Sequence, residues 1–377
     1  MSDSVAIVAN GFADGPAQAL RDYLVERGTR LVTILHPLTP EQGTKHDLTE
    51  YVRGRPVRER SVDLGLRAPL SFAADPFVPL PPPRVDVWFG FNPLACATGL
   101  VARRARRVRR VVLWSVDFVP DRFGPGTLLT RLYDRLDRRC CLHADARVEL
   151  SAAARGARNR RHRVDERLVP IHVVPMGAWV DRVPTVPLEA FSRRRVVFLG
   201  HLVPRQGVPA LLEAVALLRG RGEPVSLDVV GGGPQKPELE QRADALAIGD
   251  AVRFHGFVPQ AVEVERLLAQ ASIAAAPYVP SETNFTRFAD PGKLKAYLAA
   301  GLPTVLTDVP PNADELAREA GAEIVPYDAG AIAETIARAL SSSDAWQARR
   351  RAALAYARRF DWSSLLSDLL TKLAIAT

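Results

Sequence analysis

In the second half of the chain, short apolar runs alternate with stretches whose apolar residues recur at i, i+3 and i+4. The runs are Arg195–Leu199, Ser226–Val230, Val252–Phe257, Ser272–Tyr278, Thr304–Thr307 and Ala322–Val325. Between them lie GVPALLEAVALLRGRG, PELEQRADALAIG, VEVERLLAQA, KLKAYLAAG and IAETIARAL, each with helical periodicity. Gly220, Gly249 and Gly301 stand where helix C-caps are expected. Short apolar strands separated by helices predict a parallel sheet covered on both faces.

The first half repeats this grammar. Val5–Ala9 reads as a buried strand entering a glycine-bearing turn, Asn10 to Gly15, with a helix beginning near Pro16. Leu31–Leu35, Val85–Phe89 and Val111–Ser115 read as further strands, and Pro76–Pro83 as a surface connection. Prolines and a glycine (Pro170, Pro175, Gly177, Pro184 and Pro187) break the pattern across Val164–Arg195. The division is therefore a domain over 1–180, a second over 181–343, and two terminal helices over 344–377 carrying Trp346, Phe360 and Trp362. Two doubly wound α/β domains of this kind are expected to face a cleft, with ligands at the carboxyl ends of the strands.

Composition narrows the function classes. With 377 residues, 47% of them hydrophobic, the chain can bury a core in each half and is not disordered. Three cysteines, Cys96 and the adjacent Cys140 and Cys141, make neither a disulfide framework nor a metal-binding CxxC. No apolar run approaches the roughly 18 residues of a membrane span. The opening MSDSVAIVANGF carries an acid where a secretion signal wants bases, so a cytoplasmic protein is expected. The net charge is +8, and 45 of the 50 bases are arginine. Residues 1–180 hold 28 bases against 19 acids, whereas the remainder holds 22 against 23. The surplus belongs to the first half, in the runs Arg103–Arg110 and Arg155–Arg163. Two readings stay open for them: solvated helix faces, or a patch for anionic lipid or a phosphorylated acceptor. Neither run is interleaved with aromatics, so nucleic acid is not expected.

The chemistry concentrates in Pro277–Thr307, PYVPSETNFTRFADPGKLKAYLAAGLPTVLT. A strand ends, a polar loop follows, and Pro291 marks a helix start with Asp290 as its expected N-cap. The N–H groups of Gly292, Lys293 and Leu294 are then expected to face an anion such as a diphosphate. Two of only five lysines, Lys293 and Lys295, fall here, where a compact point charge suits a phosphate. A plain capped helix with solvated lysines is the competing reading. LGHLVPRQG, Leu199–Gly207, is a second strand–Gly–loop–helix turn, and Gly231-Gly232-Gly233-Pro234 ends a third strand.

The ordered series LGHLVPRQGVPALLEAV, LDVVGGGP, VRFHGFVP, IAAAPY and DPGKLKAYLAAGLPTVLT resembles the donor domain of glycosyltransferase family 4, of the GT-B fold, across residues 195–340. The terminal DWSSLLSDLL resembles the helix with which such chains cross back to the first domain, and the resemblance implies that the terminal helices over 344–377 cross back. WSVDFVPDRFGPGTLLTRLYDRLD resembles a first-domain signature of one subgroup. The resemblance implies a nucleotide sugar bound by the second domain and an acceptor by the first. It implies a diphosphate held at Gly200 and at Gly292 to Leu294, with Lys293 matching the family's lysine, and a nucleobase lined by Phe257 and Val258. It also implies retention of anomeric configuration with no metal or other cofactor. The chain departs from the family where glutamates are usual, at Ala296 and Phe288, and carries His201 and Gln206 in place of the usual Arg and Lys. Arg205, Glu282, Asn284, Arg287 and Asp290 are the candidates that replace the missing grip.

Asp117 stands where the family often places a histidine near the reacting sugar, and a loop-orienting carboxylate is the alternative. Asn10 to Gly15, with Gly11 and Phe12, either approaches the donor phosphates or acceptor or is a simple turn. The other histidines, including His36 and His46, show no ligand spacing. The expected function is a retaining glycosyltransferase. A GT-B-like nucleotide-binding subunit without transfer activity, and a sugar-nucleotide epimerase of related fold, are the alternatives. Peripheral contact with an anionic membrane is the expectation attached to the basic half.

Overall fold

The computed structural model describes residues 2–11, 15–79 and 81–377. The chain divides into two units, Met1–Pro175 with Ser363–Thr377, and Met176–Trp362.

The first unit is built on an eight-stranded sheet. Its strands are β1 (Val5–Asn10), β2 (Leu31–His36), β3 (Lys45–Val52), β4 (Arg55–Asp63), β5 (Val85–Gly90), β6 (Val108–Ser115), β7 (Ala146–Glu149) and β8 (Ile171–Val173), in the order β4-β3-β2-β1-β5-β6-β7-β8. Helices α1 (Pro16–Glu26), α2 (Pro93–Arg104), α3 (Leu128–His143) and α4 (Ala152–His162) connect them. The sheet is mixed rather than parallel throughout, because β3 pairs antiparallel with both β2 and β4. The β3–β4 hairpin escapes hydrophobic patterning because β4, RPVRERSVD, is exposed along almost its whole length. Its two-residue turn is Arg53-Gly54, both at positive φ, the geometry that matches strand twist. Val8, Trp88, Cys96 and Leu113 meet in the core.

The second unit carries a six-stranded, wholly parallel sheet. Its strands are β9 (Arg195–Leu199), β10 (Ser226–Val230), β11 (Val252–Gly256), β12 (Ile273–Ala276), β13 (Thr304–Leu306) and β14 (Glu323–Ile324), in the order β11-β10-β9-β12-β13-β14. The helices are α5 (Val208–Gly220), α6 (Lys236–Ala245), α7 (Ala261–Leu268), α8 (Gly292–Ala300), α9 (Ala313–Glu319), α10 (Ala329–Ala339) and α11 (Ser343–Ala357); a last helix, α12 (Trp362–Lys372), starts at the unit's final residue and belongs otherwise to the first unit. Val197, Phe198, Val229 and Ala275 are buried on the strands, with Leu211, Leu298 and Trp346 packed from the helices. That two-sided cover is why these strands read as continuous apolar runs.

The terminal helices part company. Helix α11 stays in the second unit against α8, and only Ser363–Thr377 joins the first, correcting the expectation that both cross back. The reason is burial: Trp346 lies in the second core, where its indole N–H donates to the Ser272 carbonyl at 2.6 Å. Among the described residues, no helix is long and apolar enough to cross a membrane.

Candidate functional site

In the second sheet the chain runs from β9 outward to β10 and β11, then returns to the far side of β9 as β12. The loops after β9 and β12 therefore diverge, leaving a crevice at the carboxyl edge between them. The sequence fills it with a glycine turn on one side and the α8 N-terminus on the other.

Lys293 is the centre of this arrangement. Its Nζ lies 4.1 Å from the Phe198 ring centroid and 4.8 Å from that of Tyr278. It donates to Gln206 Oε1, across from the turn after β9. A Cβ placed on Gly200 would stand 3.0 Å from that ammonium, so the closeness of turn and lysine depends on glycine. Gly207 is equally constrained: it sits at φ +72°, and a Cβ there would fall 1.8 Å from the Pro277 carbonyl oxygen. Burial, joined by the nearby Arg205 guanidinium, holds the Lys293 amine well below the usual lysine range. Among the described residues no carboxylate forms an ion pair with it. An amine resting on aromatic faces, beside a glycine turn and a helix N-terminus, presents positive charge that an anion can complete. Phe198 and Tyr278 were not singled out from the sequence. The signal was an aromatic one residue before the last of β9 and another just past β12.

Other expected residues divide by burial. Gln206 and Arg205 flank Lys293, and the Arg205 guanidinium stacks 4.4 Å above the Phe285 ring. His201 is exposed on the same turn. Phe257 is 65% exposed at the end of β11, its Cβ 3.3 Å from where a Cβ on Gly232 would lie, with half-buried Val258 following. Glu282 and Arg287 are exposed on the loop after β12.

Three expectations are corrected. Asp290 does not cap α8; Pro291 occupies that position. The Asp290 carboxylate is buried, accepting from the Met176 N–H at 2.8 Å and Asn312 Nδ2 at 3.0 Å, and it pairs with Lys295 Nζ at 3.1 Å. Burial raises its pKa against the pull of Lys295. Lys295 lies 3.8 Å from the Phe360 ring centroid, so this second lysine is part of the fold. Asn284 is buried and occupied: its Nδ2 donates to the carbonyls of Val279 (2.8 Å) and Arg205 (3.1 Å), while its Oδ1 accepts from the Thr286 N–H. It clips the β12 loop to the β9 loop, with both amide protons and one lone pair of its oxygen committed. Leu294 is likewise spent, its side chain in the core and its N–H on the Pro291 carbonyl, leaving Gly292 and Lys293 to supply the α8 N–H groups.

In the first unit, Asp117 follows β6, half-exposed, with Arg122 Nη2 at 2.5 Å from its carboxylate. Gly11 takes φ +100° and donates its N–H to the His36 carbonyl at 2.8 Å; Phe12 lies outside the described residues. Asn10 Nδ2 donates to Asp75 Oδ2 at 2.7 Å, and Asn92 Nδ2 donates to Asn10 Oδ1 at 2.7 Å. Behind them His36, His46 and Asp75 are buried together, a grouping the sequence spacing hid.

The basic runs are less available than their composition implies. Arg158 is buried, ion-paired with Asp137 and with Glu149 (3.1 Å), and Arg147 pairs with Glu149 at 2.7 Å. Arg161 bridges Asp121 and Asp134, each at 2.7 Å, and Arg110 donates to the Leu373 carbonyl at 2.6 Å. Arg104 and Arg106 remain exposed. Much of the surplus is therefore internal wiring, which corrects the reading of both runs as plain solvated faces.

Residues 193–342 match the family model described as "Glycosyl transferases group 1". The GDP-mannose-dependent alpha-(1-6)-phosphatidylinositol monomannoside mannosyltransferase of Mycolicibacterium smegmatis is 34% identical over 113 residues, 28% of this chain and 29% of that protein. The corresponding dimannoside mannosyltransferase of Mycobacterium tuberculosis is 30% identical over 184 residues, 47% of this chain and 43% of that protein. The chain thus spans less than half the length of these curated relatives. HepE of Anabaena, solved with UDP and glucose, is similar with a TM-score of 0.70 at 15% identity, covering 99% of both chains. Sucrose-phosphate synthase from Thermosynechococcus elongatus gives a TM-score of 0.75 at 14% identity, covering 98% of both. At such identities the likeness is one of fold: the chain has the GT-B fold, built from two Rossmann-like units.

Proposed function

We propose that this chain is a retaining glycosyltransferase of the family-4 type, moving a sugar from a nucleoside-diphosphate sugar to an acceptor. The observation that carries the reading is Lys293, held on Phe198 and Tyr278 at the α8 N-terminus within reach of the Gly200 turn. The negative charge that develops on a departing diphosphate has its complement there: the lysine, the N–H groups of Gly292 and Lys293, and the helix dipole behind them. In a front-face substitution the protein supplies no nucleophile and needs no metal, so positioning and charge are its whole task.

Phe257 and Val258 are the proposed nucleobase wall, and Arg205, Gln206, His201, Glu282 and Arg287 the groups around the ribose and phosphates. Where the family pattern has glutamates, Ala296 packs on the core and Phe288 is half-buried, so the grip on ribose and sugar falls to these loop residues. Asp117 in the first unit is the proposed carboxylate near the reacting sugar. The relatives named for GDP-mannose favour a GDP-sugar donor, and their lipid-linked acceptors favour a glycolipid over a soluble acceptor. Contact between exposed arginines of the first unit and an anionic membrane belongs to the same reading.

The test is single-turnover release of nucleoside diphosphate, after a thermal-shift panel of GDP, UDP, TDP and ADP compounds has found the donor. Lys293→Ala is expected to slow release by about 10²–10³-fold, the scale seen when one preorganised charge-stabilising donor is lost. Release at the wild-type rate overturns the assignment of Lys293. A protein that binds the nucleotide but releases nothing with any acceptor is the inactive subunit that Ala296 and Phe288 argue for. Turnover without acceptor is the epimerase.

A further inference from the structure

His36 closes β2, and the antiparallel register of β2 with β3 (Leu35 opposite Asp47) sets His46 beside it. Asp75 comes from the short turn Asp75–Phe77, far from both in sequence. The three side chains are almost wholly buried, at 2%, 0% and 3% exposure. The two Nδ1 atoms stand 2.8 Å apart, and Asp75 Oδ1 lies 3.7 Å from that of His36 and 3.5 Å from that of His46.

This group does not satisfy itself. One imidazole can donate to the other, but the carboxylate oxygen is beyond hydrogen-bond reach of both rings. Asp75 Oδ1 and His46 Nε2 are buried with no hydrogen-bond partner among the described residues. Buried polar atoms are seldom left so, and each one left so has a cost. A positive charge between the two Nδ1 atoms and Asp75 Oδ1 satisfies that oxygen and both facing ring nitrogens at once; His46 Nε2, on the far side of its ring, is not touched by it.

The geometry fits such a charge. A triangle with sides 2.8, 3.5 and 3.7 Å has a circumscribed circle of radius about 2.0 Å. A point therefore exists about 2.0 Å from all three donor atoms, which is the length of a zinc–imidazole or zinc–carboxylate bond. Two imidazoles and one carboxylate are donors that zinc-class divalent ions accept. Support beyond the donors is also present, since Asn10 Nδ2 binds the other Asp75 oxygen at 2.7 Å and fixes the carboxylate. Asn10, His36, Asp75, Pro79, Leu94 and Thr98 line a narrow gap beside the group, too small to hold a water.

We infer that His36, His46 and Asp75 bind one divalent transition-metal ion of the zinc class, which ties β2, β3 and the Asp75 turn together beside Asn10. The ion is structural and leaves the transfer chemistry metal-free. The inference stands independently of the glycosyltransferase reading, because its donors lie in the first unit and its test reads binding.

The experiment strips the full-length protein with chelator, then titrates it with Zn²⁺ and with Co²⁺. The expected result is one ion per chain by elemental analysis, a raised melting temperature, and visible cobalt bands of a nitrogen–oxygen site without thiolate charge-transfer absorption. Asp75→Asn and His46→Gln are expected to weaken binding by more than the roughly 10–100-fold typical of a lost supporting residue, and Asn10→Ala to fall within that range. Should the buried variants fail to fold, as read by circular dichroism, the wild-type stoichiometry and cobalt spectrum decide alone. Absence of stoichiometric uptake, thiolate bands pointing to Cys96, Cys140 or Cys141, or unchanged affinity in folded variants would each overturn the inference.

Discussion

At the scale of single residues, the two neighbouring lysines behave oppositely. Lys295 is buried against Asp290 and Phe360, whereas Lys293 is held by aromatic rings and Gln206 with no carboxylate partner among the described residues. Because burial and Arg205 depress the Lys293 pKa, a bound diphosphate is expected to raise it again. Above the depressed value, nucleotide binding should therefore take up a proton, measured calorimetrically in buffers of different ionisation enthalpy. Lys293→Ala should lose that uptake. For Asp137 the titration is linked to folding rather than to a ligand. Burial alone would raise its carboxyl, but Arg158 and the His162 ring outweigh that and hold it below the usual carboxylate range. Its contribution is therefore present above the unfolded value of about 3.9 and lost as pH falls through the depressed folded one. Asp137→Asn should cost about 3–5 kcal/mol in urea unfolding at neutral pH, with the gap to wild type closing in acid. Lys293 was legible in the sequence because lysine is scarce and sits at a helix start. The spent states of Asp290, Asn284 and Leu294 were not, since they depend on Met176, Arg205 and Pro291 being within bonding distance.

Among the elements, legibility followed the burial of the strand. Strands β9, β10, β12 and β13 of the second sheet are buried along most of their length and stood out as apolar runs, and their parallel direction can be argued from alternation with helices. β4 is exposed and arginine-rich, β8 is three residues long, and β7, Ala146–Glu149, carries the buried pair Arg147 and Glu149, so none of these had an apolar signature. Polar side chains entered β7 only because Arg158, Asn159 and Asp137 on α4 and α3 answer them. The two loops that frame Lys293 are held by close backbone approach. Gly207 is the sharpest case, and Gly207→Ala should destabilise the protein by at least about 1–3 kcal/mol, read by urea unfolding, because positive φ and the Pro277 carbonyl both oppose a side chain. Nucleotide affinity should fall with it, since the same shift displaces Gln206 from Lys293. Unchanged stability would mean that the loop tolerates a register the present packing excludes.

On the scale of the whole molecule, the division of labour makes a prediction that hydrogen exchange can read. A bound nucleoside diphosphate should protect residues 199–207 and 277–295 most strongly, all within the second unit. Protection confined to the first unit would count against the donor site. The order of the chain adds something else. Along the chain, the second unit, Met176–Trp362, interrupts the first, which resumes at Ser363. Its two ends are tied: the Ala178 N–H donates to the Phe360 carbonyl, and the Trp362 N–H donates to the Ala178 carbonyl, both at 3.0 Å. It is in effect an insert with closed ends, which a ribosome completes before its host. Folding during synthesis should then run against the usual N-terminal-first order. The insert can close while the first unit, synthesised mostly before it, still waits for residues 363–377, so truncation after Trp362 should leave a protein whose second unit is native and whose first is not.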